Sequence, residues 1–69
     1  MKKKTLKDLR IMNNLTQDQL AKLTDTTVTY ISLLENGKRN ASDEMKKKLA
    51  KVLNCETVEI FLALQLTQS

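Results

Sequence analysis

Apolar residues in this chain recur at intervals of three, four and seven, the spacing that lines one face of a helix. Within residues 17–37, QDQLAKLTDTTVTYISLLENG, two such sets stand back to back. Leu20, Ala21 and Leu23 form the first; Val28, Ile31 and Leu34 form the second. Between them lie four residues, Thr24, Asp25, Thr26 and Thr27, rich in turn and cap chemistry. Thr16 can cap the first helix by accepting a bond from an orphan backbone N–H, with Asp18 in its first turn, and Thr26 or Thr27 can cap the second. Gly37 suits a helix that leaves through a left-handed residue. Helices this short are marginal alone and must pack on each other and on neighbours. Across so tight a turn they cannot lie antiparallel, so they are expected to cross steeply.

The same periodicity places three more helices. The first is expected over about 5–13, with Leu6, Leu9 and either Met12 or Ile11 facing inward. Arg10 is four residues from Leu6 and turns to the same side, where it needs an acid partner. Leu15 precedes the Thr16 cap and can staple the entry to the next helix. Ser42 is expected to cap the fourth helix, with Asp43 and Glu44 in its first turn and a stripe of Met45, Leu49, Val52 and Leu53. Lys46, Lys47, Lys48 and Lys51 then fall mostly outside. Asn54 can end that helix in a left-handed conformation. A fifth helix from about residue 56 or 57 carries Val58, Ile60 and Phe61, and residues 62–66 hold more apolar side chains than one surface helix needs. Beta-branched residues do not alternate with polar ones, so no strand is signalled. The predicted fold is all-α with five helices in a single domain, 1–69, and an apolar tail at 62–69.

Composition narrows the function. The chain has 69 residues, no proline, one glycine and no histidine. A domain of this size buries only about 60% of the surface its unfolded chain exposes, so a second copy could add useful burial. Without histidine, a zinc site and histidine acid–base chemistry are excluded in the monomer, and no metal or cofactor is expected. Cys55 is the single cysteine, so no internal disulfide can form, which fits a reducing cytoplasm. No signal segment follows the basic residues 1–4, and the apolar run at 60–64 is too short to span a bilayer. A soluble cytoplasmic, nucleoid-associated protein is expected. Net charge is +4, and every Lys and Arg lies within residues 1–51. A basic body with an acidic-apolar end suggests a polyanion partner on one surface and a different partner on another. Residues 1–4 can be either a solvated terminus or a DNA-contacting arm.

LKDLR at 6–10, LTQDQLAKL at 15–23, YIS at 30–32 and LENGKRN at 34–40, followed by LAKVLNCETVEIF at 49–61, together resemble the phage-repressor (Cro-like, xenobiotic-response-element) helix-turn-helix family. The resemblance spans about four-fifths of the chain. It implies a lambda-repressor-like five-helix fold with a helix-turn-helix at about 17–36 whose third helix docks in the DNA major groove. It also implies that Thr27, Val28, Thr29, Ser32 and Leu33 read bases, and that Arg10 and Glu35 form an ion pair linking helix 1 to the end of helix 3. The hydroxyls of Thr and Ser can serve several base edges, whereas Val28 and Leu33 can only touch thymine methyls. Helix 3 carries no Arg, Gln or Asn for bidentate readout, so modest direct specificity favouring T-containing steps is expected. Three departures from the family pattern matter: Asp25 stands where glycine is usual in the turn, Thr24 and Thr26 stand where apolar residues are preferred, and Ala41 replaces the usual loop proline.

Phosphate contacts must hold such a helix in its groove. The start of helix 2, with Thr16, Gln17 and free N–H groups, offers one anion site. Asn36, Lys38, Arg39 and Asn40 offer another, and the two are expected to flank helix 3. Tyr30 can reach a phosphate through its hydroxyl or pack its ring on helix 4. Val58, Phe61, Leu62, Leu64 and Leu66 are the candidate dimer surface, with Leu64 and Leu66 favoured there and Ile60 and Phe61 favoured as core. The expected function is a sequence-specific regulator, a repressor acting as a homodimer on a two-fold operator in double-stranded DNA. A prophage or mobile element is its expected setting. The alternative is a protein-interaction module of the same fold, an antirepressor or antitoxin. No arrangement of residues suggests an enzyme.

Overall fold

The computed structural model describes residues 4–67, so Met1, Lys2 and Lys3 of the basic arm and Gln68 and Ser69 of the apolar tail lie outside the described residues. Five helices follow in order: α1 (Leu6–Met12), α2 (Gln17–Leu23), α3 (Val28–Glu35), α4 (Asp43–Val52) and α5 (Thr57–Thr67). Each of the first four starts on a hydroxyl cap. The side-chain oxygens of Thr5, Thr16, Thr27 and Ser42 accept from the backbone N–H three residues on. Asp8 and Gln19 return the bond to the N–H of Thr5 and Thr16, closing two capping boxes.

The same four helices also end alike. Asn14, Asp25, Gly37 and Asn54 all have φ between 55 and 71°. After each, the next N–H reaches back to the third carbonyl from the helix end: Leu15 to Arg10, Thr26 to Ala21, Lys38 to Leu33 and Cys55 to Ala50. This is the Schellman closure, and it needs a left-handed residue. Gly37 adopts that conformation without a Cβ penalty, while Asn and Asp tolerate it at some cost. Asp25 therefore keeps the turn where the family pattern has glycine.

The core comprises Leu6, Leu9, Leu20, Ala21, Ile31, Leu34, Ala41, Met45, Leu49, Ala50, Leu53, Ile60, Ala63 and Leu64, with Leu15, Tyr30, Val52 and Cys55 packed on its edge. Helix α2 packs on α3 and α4 on α5, while α5 also touches α1 and α3. Thr24 is 1% exposed, and its hydroxyl donates to the Leu20 carbonyl at 2.8 Å. Its polar atom is thus satisfied inside the core. Asn13 ties two helix ends together, donating to the carbonyls of Leu9 at 2.8 Å and Leu53 at 3.1 Å.

Three expectations are corrected. Ile11 and Met12 are both exposed, because the short α1 spends its inward face on Leu6, Leu9 and Arg10. Leu64 is 4% exposed and belongs to the core, whereas Phe61 is 44% exposed. Lys46 does not stand free in water. Its ammonium lies 5.2 Å from the Phe61 ring centroid and 3.8 Å from Asp43. The described part of the apolar stretch, residues 62–67, is helical and continues α5. The cause is register. With successive residues turned by about 100°, Ile60, Ala63 and Leu64 fill one arc, and Phe61, Val58, Leu62 and Leu66 fill the opposite arc.

The Arg10–Glu35 pair spans the fold. Arg10 Nε donates to Glu35 Oε2 at 2.6 Å and Nη2 to Oε1 at 3.2 Å, while Nη1 donates to the Leu15 carbonyl at 2.8 Å. The two side chains are 10% and 4% exposed. Glu35→Ala is expected to cost about 3–5 kcal/mol by leaving a buried cation uncompensated. A thermal melt checks this, and an unchanged midpoint would contradict it. Asp25→Gly should act oppositely, relieving about 1 kcal/mol of left-handed strain and raising the midpoint by about 4–8 °C. A lowered midpoint would show that the aspartate contributes more than its backbone costs.

Candidate nucleic-acid interface

Helix α3 turns Ile31 and Leu34 into the core. At about 100° per residue, that leaves Thr29, Ser32 and Leu33 on its outer arc. Val28, 43% exposed, opens the helix. The Thr27 oxygen is already used as the cap, accepting from the Tyr30 N–H at 3.1 Å. Its O–H proton stays available, since a hydroxyl both donates and accepts. Leu23 is exposed at the end of α2. The face therefore offers hydroxyls and methyls, with no fork of paired donors and acceptors on α3.

The start of α2 meets the end of α3. Gln17 Nε2 donates to Glu35 Oε1 at 3.0 Å. One open depression is lined by Lys7, Arg10, Thr16, Gln17 and Asn36, among others. Of the second expected anion site, Asn36 shares this depression with Thr16 and Gln17, while Lys38, Arg39 and Asn40 line a separate one. Within the Thr16 cap, the N–H groups of Thr16 and Gln19 are taken by the reciprocal bonds. The first-turn amides of Gln17 and Asp18 are among the four that a helix leaves without internal partners. The Gln17 side chain has one donor committed to Glu35 and one more to offer.

Asn36 turns its amide back onto its own helix, donating to the Ser32 carbonyl at 2.8 Å and to Ser32 Oγ at 3.4 Å. Beyond it, Lys38, Arg39 and Asn40 are exposed and line a second shallow depression with Gly37. The Arg39 guanidinium lies 5.8 Å from the centroid of the Tyr30 ring. Tyr30 is half-buried against the core, so its ring packs inward and faces a cation as well. Lys7 also lines the first depression. Its position three residues before Arg10 puts both on one side of α1, and that spacing was the available signal.

The remaining chemistry lies elsewhere. Cys55 sits at the α4–α5 junction, and its thiol is held above its ordinary pKa by burial and then by the Glu59 carboxylate. Among the described residues, no group of three Cys, Asp or Glu is placed to hold a metal ion, and no helix is long and apolar enough to cross a membrane.

Comparison with known proteins agrees with this geometry. The family model described as "Helix-turn-helix" matches residues 6–60. Over 54 residues the chain is 43% identical to the competence pilus inhibition repressor of Acinetobacter baylyi, covering 78% of this chain and 49% of that protein. The chain thus spans about half the length of that relative. Over 57 residues it is 37% identical to an uncharacterized HTH-type transcriptional regulator of Archaeoglobus fulgidus, covering 83% of this chain and 80% of that one.

Proposed function

This chain belongs to the helix-turn-helix family, and from that footing we propose that it is a DNA-binding transcriptional repressor. It docks α3 in the major groove as a homodimer on a two-fold operator. The observation that carries the reading is the Gln17–Glu35–Arg10 network. It brings the free amides of α2 and the end of α3 to one place beside an outward α3 face. A strand of DNA lying there meets Thr16, Gln17 and Asn36 in one depression, then Lys38, Arg39 and Asn40 in the next. Amides and cations at such positions bind phosphate without reading sequence. Sequence is then read by Thr27, Val28, Thr29, Ser32 and Leu33, chiefly through hydroxyls and thymine methyls. Being named a repressor or regulator is a property of the relatives, and it supports the same role here.

The homodimer rests on α5. Its core arc is spent on Ile60, Ala63 and Leu64, yet Val58, Phe61, Leu62 and Leu66 remain exposed on the opposite side. A helix apolar on both faces needs a second cover. A two-fold pair would also double the DNA contact of a module that buries little surface by itself. A selection from a random duplex library tests the whole reading, because an enriched inverted repeat reports site and symmetry together. No enrichment, with no salt-sensitive binding to random duplex, would overturn it and turn attention to Val28 and Leu33 as a protein-binding face.

Two narrower outcomes follow. Lys7→Ala and Lys38→Ala should each weaken binding about equally for all sequences and lower the slope of log affinity against log salt by about 0.9. Anisotropy titrations at several salt concentrations measure this, and an unchanged slope removes that lysine from the phosphate grip. Leu62→Lys with Leu66→Lys leaves the core intact and should shift the protein to monomer in sedimentation velocity while lowering operator affinity. A dimer that persists in this variant places the interface elsewhere.

A further inference from the structure

The paired cations of this domain each face a carboxylate: Arg10 with Glu35, Lys22 with Asp18, Lys46 with Asp43. Arg39 is held differently. Among the described residues no carboxylate lies in ion-pair range of it, and its guanidinium carbon sits 5.8 Å from the Tyr30 ring centroid. That separation is within the range of a cation–π contact. The ring is anchored, since Tyr30 stands on α3 and packs against the core. The backbone approaching Arg39 is anchored too. Gly37 turns the chain at φ 71°, and the Lys38 N–H donates to the Leu33 carbonyl at 2.8 Å.

An aromatic face has no lone-pair acceptor, so holding a guanidinium there spends none of its five N–H donors. A carboxylate would have consumed two of them and cancelled the charge. An exposed arginine also carries much rotamer freedom, which is lost when it binds. A contact that selects one arrangement beforehand removes part of that cost. Resting on the DNA-binding reading above, we propose that Tyr30 is a positioning residue for Arg39. Its ring holds the guanidinium, donors free, at the end of α3 where a backbone phosphate of the docked duplex is met. The Tyr30 hydroxyl makes no phosphate contact of its own.

A double-mutant cycle on the full chain tests this, using a random-sequence duplex and anisotropy titrations over a series of salt concentrations. Arg39→Ala should lower the salt slope by about 0.9. Tyr30→Leu should weaken binding roughly two- to fivefold more when Arg39 is present than when residue 39 is alanine. Any cost of Tyr30→Leu to folding enters both arms of the cycle and cancels. Tyr30→Phe keeps the ring, so the Arg39→Ala penalty in that background should stay at its wild-type size. Additive losses for Tyr30→Leu and Arg39→Ala overturn the positioning role while leaving duplex binding in place. Equal losses for Tyr30→Phe and Tyr30→Leu put the contact on the hydroxyl and overturn it as well. A wild-type chain that binds no duplex at any salt overturns the DNA-binding reading, and this proposal falls with it.

Discussion

The carboxylate of Glu35 accepts three hydrogen bonds, two from Arg10 and one from Gln17. Arg10 also reaches the Leu15 carbonyl, so α1, the loop after it, the start of α2 and the end of α3 share one charged node. An arginine is suited to this because its planar fork meets a carboxylate with two parallel bonds and still has donors for a backbone carbonyl. In so small a domain the node does what a larger core would otherwise do. It holds the free ends of the helix-turn-helix in one arrangement, so that the groups at the start of α2 and those after α3 stay in register. The charge is costly to bury, and the compensation is that, among the described residues, no buried side-chain nitrogen or oxygen lacks a hydrogen-bond partner.

A second constraint is the uniformity of the helix ends. Hydroxyl caps open α1 to α4 and Schellman closures end them. The connections after α1, α2 and α4 are therefore tight turns, which lets helices of seven to eleven residues hold a fixed mutual arrangement. Stiff connections matter for a surface that must match a groove, since a loose turn between α2 and α3 would blur the positions of Thr29, Ser32 and Leu33. The cost is carried by Asn14, Asp25 and Asn54, left-handed residues that keep their Cβ.

The two faces of α5 and the outward face of α3 divide the molecule by chemistry. Lys38 and Arg39 stand just beyond α3, while the described part of α5 carries Glu59 and a run of apolar side chains. A polyanion and an apolar partner can thus be engaged on separate surfaces. Tyr30 and Lys46 show the same device used twice: a cation covers an aromatic ring that the core cannot fully enclose.

Much of this was written locally in the chain. Thr16 and Ser42 as caps, Asn54 and Gly37 as left-handed exits, and Leu20, Ile31 and Leu49 as core depend on spacing and on near-neighbour backbone chemistry, which sequence alone determines; between Thr26 and Thr27 as the cap of α3 the fold chose Thr27. The family pattern added the partner for Arg10. What the sequence could not decide were choices between positions of equal hydrophobicity and contacts between residues far apart in number. Leu64 and Phe61 are both apolar neighbours of Ile60, and only the packing of α5 against α1, α3 and α4 put one inside and left the other out. Neither the Gln17–Glu35 bond nor the Asn13–Leu53 bond is signalled by spacing, because each joins residues far apart in the chain. Periodicity identifies a face, but which part of that face meets a neighbour depends on how helices cross, and that angle is a property of the assembled core.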